Sequence, residues 1–168
     1  MCREEFSAAK LILDLAKKEY DDEINRTSVI DTKVNIALPI VSTYTFLVFD
    51  KIIKRKRFLL LDEISEEIFT FILICVLIGI CILGAILSLY NLFRCIKMNN
   101  YKVIRAEEFS DYATMNRPEG EVAGVSIDCF IKASQYNREI NNCRAKKYQK
   151  GWNFAALSFV AYVIYIFV

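Results

Sequence analysis

The sequence predicts an all-α membrane protein, with three transmembrane helices carrying a cytoplasmic helical stalk. Three observations carry that expectation. Uncharged, largely apolar runs occupy residues 34–49, 68–93 and 151–168. The stretches before the first and third runs repeat apolar or small residues at steps of three, four or seven, the spacing of a helix-packing seam. Nothing in the 168 residues reads as a paired strand.

Residues 1–33 are expected to form a cytoplasmic N-terminal helix. Its seam is Phe6, Ala9, Leu13, Ala16, Tyr20, Ile24 and Thr27, and its opposite, charged face holds Lys17, Lys18, Asp21, Asp22 and Glu23. Fourteen of these 33 residues are charged and no apolar signal core precedes Val34, so the N-terminus is expected to stay in the cytoplasm.

Residues 34–50 form the first transmembrane helix. Its 16 uncharged residues cover roughly 24 Å, less than the roughly 30 Å of bilayer hydrocarbon. It also carries Asn35, Pro39, Ser42, Thr43 and Thr45. A buried soluble helix is the alternative. A short span is preferred because Asp31, Lys33, Asp50 and Lys51 can hold their charged heads at the interfaces.

Residues 51–67 make a periplasmic connector, and residues 68–93, uncharged over 26 positions, meet the length of a spanning helix outright. Residues 94–150 hold a cytoplasmic insert and a stalk helix. The insert includes a short helix near 106–115 and a turn at 116–120. The stalk helix begins near 126, with Ile127, Ile131, Ser134, Asn141, Ala145 and Tyr148 on one side. Residues 151–168 form the third span, whose end is expected at the far face of the membrane. Segments 1–33 and 94–150 together hold 17 Lys and Arg against five in the connector, which places the former in the cytoplasm. The connector's cluster KIIKRKR runs against that rule.

Composition argues against an enzyme. The chain has no histidine, the commonest general base and metal ligand. Its six cysteines show no CxxC spacing, so no metal or other cofactor is expected. Ser7 to Lys10 matches S-x-x-K without the motifs that accompany it in penicillin-recognising enzymes. Asn25-Arg26-Thr27 is a sequon on the cytoplasmic side. No phosphate-cradling glycine loop is present.

The membrane segments are more informative. Cys75/Gly79, Cys81/Ala85 and Gly84/Ser88 have small-xxx-small spacing, which lets helix backbones approach closely. Ser158, Tyr162 and Tyr165 form a hydroxyl stripe on the third span. On the first span, Asn35, Ser42 and Thr45 are polar groups that hydrocarbon penalises unless they meet a partner or water. They either hydrogen-bond between helices of one protomer or line a pore made by several copies. A basic cluster precedes the third span. Arg144, Lys146 and Lys147 either anchor that span or, with Arg138 and Asn141, receive a phosphate-bearing ligand or partner.

A charged helix leading through VIDTKVNIALPIVSTYTFLVF, a long apolar span, a short insert and the closing QYNREINNCRAKKYQKGWNFAALSFVAYVIYIFV follow in that order. The arrangement resembles the transmembrane effectors of bacterial anti-phage operons, above all the Pycsar-type effector family. Hailong-type effectors are another possible relative. Asp31 and Lys33 stand where that family has an entry pair, and Asn137, Asn141, Lys146 and Lys147 stand in its closing helix. The resemblance implies a homo-oligomer in the bacterial inner membrane, with four copies as the starting expectation. It implies a pore or channel that disrupts the membrane on infection. Control would come from a nucleotidyltransferase or cyclase encoded nearby, or from its nucleotide product. The chain departs from the pattern in having no separate nucleotide-binding domain. A non-conducting membrane anchor for a soluble partner is the alternative function.

Overall fold

A computed structural model describes residues 2–59, 68–98, 101–105 and 118–168. Three helices make up almost all of it: α1 (Cys2–Leu59), α2 (Ile68–Lys97) and α3 (Glu119–Phe167). No strand occurs among the described residues, and all three helices are long and apolar enough to cross a membrane. The chain is an all-α membrane protein, as its sequence leads one to expect.

α1 does not stop at the end of its apolar run. It is helical from the charged N-terminal segment through Pro39 to Leu59, so residues 51–57 lie on a helix. There Lys54 pairs with Asp50 one turn earlier at 2.7 Å, and Ile52 is buried. α3 begins at Glu119. The Pro118 carbonyl accepts from the Glu121 and Val122 amides at 3.0 and 3.3 Å, closing the first turn. The short helix expected near 106–115 lies outside the described residues, as do residues 116–117 of the turn expected at 116–120; Glu119 and Gly120 of that turn already belong to α3.

The chain divides into two compact units. The first joins residues 1–31 to 98–143, and the second joins 32–97 to 144–168.

In the second unit α1 and α3 run parallel, and α2 returns antiparallel between their ends. Cys81 meets Ser158 and Cys95 meets Arg144, so one index rises as the other falls. α2 presents Ile74, Leu77, Cys81, Ala85, Ser88, Leu92 and Cys95 inward, at steps of three or four residues. α1 contributes Val34, Ala37, Val41, Thr45, Val48 and Ile52 on the same rule. That period is the one by which neighbouring helices keep a seam in register.

Two glycines set how closely α2 and α3 approach. A Cβ on Gly84 would stand 3.0 Å from the Ser158 Cβ and 3.1 Å from the Phe154 carbonyl oxygen. One on Gly151 would stand 3.1 Å from the Leu92 side chain. Of the small-xxx-small pairs, Cys81/Ala85 and Gly84/Ser88 lie in this contact. Cys75 and Gly79 face outward, with nothing within 4 Å of the position a Gly79 Cβ would take.

In the first unit α1 and α3 again lie parallel. Ala16 and Tyr20 are buried, with the Tyr20 ring edge-on to Phe130 at 5.6 Å. Ile131, expected in this seam, is 38% exposed, and the interior positions of α3 are Ala133, Ser134, Asn137 and Asn141.

Candidate functional site

The interior of the first unit is polar. Glu23, expected on the charged outer face, is only 7% exposed and sits in the seam. The step of three from Tyr20 reaches Glu23, the step of four reaches Ile24, and the structure turns Glu23 inward. A buried carboxylate must be met by donors. Asn141, fully buried, donates its amide to both the Glu23 carboxylate and the Glu23 main-chain carbonyl, each at 2.9 Å. Arg138 donates from Nε to the same carboxylate at 3.2 Å, and Arg26 adds a charge at 3.6 Å. The Asn141 carbonyl in turn accepts from Thr27 at 3.1 Å and from the Tyr101 hydroxyl at 3.3 Å.

Asn137 performs a different task. Its carbonyl accepts from the Lys102 amide at 2.9 Å and its NH2 donates to the Lys102 carbonyl at 3.1 Å. One amide side chain thus stands in for a neighbouring strand and holds the non-helical segment 101–105 on α3. The Tyr20 hydroxyl accepts from the Ile104 amide at 3.2 Å and fixes the same segment on α1.

The five residues expected to bind a ligand or partner are distributed between the units. Arg138 and Asn141 belong to the first and are engaged with Glu23; Arg138 also lies 3.8 Å from Glu19. Arg144, Lys146 and Lys147 belong to the second. Arg144 is fully buried. Its Nε donates to the Cys95 carbonyl at 2.8 Å, and the Cys95 thiol donates to the Arg144 carbonyl at 3.5 Å. Carbonyls in the last turn of a helix lack intrahelical donors, so Arg144 caps the end of α2. Lys147 is half-buried and has contacts of its own. Lys146 is exposed.

The three polar residues of the first span also part ways. Thr45 is buried and its hydroxyl donates to the Val41 carbonyl at 2.6 Å, satisfied within its own helix. Asn35 and Ser42 are exposed, and their side chains have no hydrogen-bond partner among the described residues. They lie seven residues apart on one flank. Pro39 sits four residues after Asn35 and has no N–H, so the Asn35 carbonyl lacks its helical donor. An amide, a hydroxyl and an unpaired main-chain carbonyl therefore mark a polar patch on an apolar helix.

The hydroxyl stripe on α3 faces inward. Ser158 donates to the Cys81 carbonyl at 2.8 Å and stands 3.2 Å from the Tyr44 hydroxyl. Tyr165 is 2% exposed. The signal missed in the sequence was pairing: Glu23, Asn137 and Tyr101 gain their roles from residues far along the chain.

The fold and these two polar clusters define a helical membrane protein. No family model, no curated protein and no solved structure matches the chain.

Proposed function

We propose that this chain is a membrane effector that assembles with other copies of itself around the Asn35–Ser42 flank of α1 and opens a pore there. The observation that carries the reading is that flank: polar groups in an apolar helix, outward, without a partner among the described residues. Such groups are costly in hydrocarbon and are relieved by water or by another copy. The burial supports it as well. Only 28, 33 and 28% of the most apolar windows of α1, α2 and α3 is buried inside one protomer. The resemblance to anti-phage effectors supplies the setting: the bacterial inner membrane, with control by a nucleotide signal or by the nucleotidyltransferase or cyclase that makes it.

The decisive experiment is membrane potential and dye entry in cells expressing the chain, alone and with its neighbouring gene during infection. Asn35→Leu with Ser42→Leu should abolish depolarisation and leave insertion and assembly intact. Depolarisation that survives both substitutions removes this flank from the conduit.

A second reading, a non-conducting anchor for a soluble partner, is favoured by Leu11, Ile12 and Leu15, which are 61, 49 and 55% exposed on the first unit. An intact potential under every condition, with a soluble protein retained at the membrane through Leu11 and Leu15, would support it instead.

A further inference from the structure

The second unit has a groove on the flank of α1 opposite Asn35 and Ser42. Ile40, Val41 and Tyr44 of α1 form one wall, and Trp152, Ala155, Ala156 and Phe159 of α3 form the other. Its volume is about 400 Å³ and its lining is almost wholly apolar. The alanines leave the notch, while the Tyr44 and Phe159 rings, 6.0 Å apart, close one end. A polar solute has nothing to bond to here, so the occupant is hydrocarbon.

The mouth identifies whose hydrocarbon. Lys33 precedes Ala37, Ile40 and Tyr44 at steps of four, three and four, which places it on the groove side of α1. It is exposed and makes no ion pair with a described residue. Tyr44 meets Ser158 at a sequence separation of 114, so Lys33 stands level with residues 147–148 of α3. That is about 8 Å, five residues of rise, before the level of Trp152. Trp152 is 37% exposed, with Tyr148 edge-on at 6.4 Å, an aromatic pair of the kind found at the membrane interface. A cation, then an indole, then an apolar slot repeats the order of a phospholipid: phosphate, glycerol ester, acyl chain. The side chain of a second copy would fill the slot and leave the charge of Lys33 unmet.

We propose that this groove is a binding site for one acyl chain of an anionic phospholipid whose phosphate is held by Lys33. The site does not depend on whether the protein conducts.

Trp152 is the only tryptophan, so its fluorescence reports on the groove alone. The full chain is reconstituted in vesicles with increasing fractions of phosphatidylglycerol or phosphatidylcholine carrying brominated acyl chains, which quench indole on contact. One lysine near the membrane surface should let the anionic lipid reach half-quenching at about fivefold lower mole fraction. Lys33→Gln should erase that preference and keep the quenching by phosphatidylcholine. Ala156→Phe should fill the slot and weaken quenching by both lipids. Equal quenching by the two headgroups in the unaltered protein means ordinary contact with bulk lipid and overturns the site. Absence of quenching means that protein covers the groove, and overturns it equally.

Discussion

In both units α1 and α3 lie side by side and parallel, and at similar sequence offsets: Thr27 meets Asn141 and Tyr44 meets Ser158, each 114 residues apart. The chemistry that joins them is opposite. In the first unit the seam holds a carboxylate, two buried asparagines and a tyrosine hydroxyl. In the second, alanines, valines and a serine lie at the contacts, with two glycines where α2 joins. The composition of each unit accounts for the exchange, since the helices of the first are charge-rich and those of the second apolar. A charge-rich pair in water gains from any apolar burial, so it can carry a polar network that fixes which residues oppose each other. In lipid, apolar side chains gain nothing by leaving the solvent. Close backbones and a few side-chain-to-carbonyl bonds must then hold the helices together.

The largest effect should come from spoiling that closeness. Gly84→Leu puts a branched side chain where even a Cβ meets Ser158 at 3.0 Å and main chain at 3.1 Å. Helices cannot yield locally, so α2 must move off α3, at about 3 kcal/mol, the upper part of the overpacking range. Gly79→Leu on the outward face of the same helix should cost little, since nothing lies within 4 Å. Equilibrium unfolding of the purified protein in mixed micelles measures both. Equal losses at the two positions would mean that α2 does not pack through its small-residue face.

The counterpart in the first unit is Asn141→Leu, which removes the amide donor to the Glu23 carboxylate and leaves that buried group with Arg138 and Arg26 alone. Leaving such a group short of its partners costs about 2–3 kcal/mol. Adding Glu23→Leu should recover much of the loss, because an apolar pair needs no donors. A double variant as unstable as the sum of its parts would show that the two residues act separately.

These two positions also mark what the sequence makes legible. The three apolar runs, the helices leading into the first and third, and the single stripe of Ser158, Tyr162 and Tyr165 follow from length and period alone, while the side to which that stripe turns does not. Glu23 does not. From Tyr20 the seam can step three or four, and the apolar choice, Ile24, is the natural one. Only Asn141 and Arg138, 118 and 115 residues away, make the polar choice stable. Asn137 hides for the same reason, since a clamp on Lys102 has no periodicity. Likewise Cys75/Gly79 and Gly84/Ser88 share one spacing and face opposite ways. Small residues mark where backbones are able to meet, and the partner helix decides which of them do. Arg144 reads as one more cation of a basic cluster until the end of α2 is placed against it.

The smallest effect should come from Ser158→Ala, and its size tests the comparison most directly. The hydroxyl donates to the Cys81 carbonyl at 2.8 Å and lies beside the Tyr44 hydroxyl, so in geometry it equals the contacts of Asn141. In water-facing protein a lost buried hydrogen bond costs about 1 kcal/mol, and more when a charge is stranded. In a membrane the separated helices still find partners for their polar groups, and measured side-chain hydrogen bonds average about 0.6 kcal/mol. The Cys81 carbonyl also keeps its bond within the helix, so no acceptor is left bare. Ser158→Ala should therefore cost about 0.6 kcal/mol in the same unfolding assay, several-fold less than Asn141→Leu. A loss as large as that of Asn141→Leu would mean that hydroxyl bonding, rather than the close approach at Gly84, holds the second unit together.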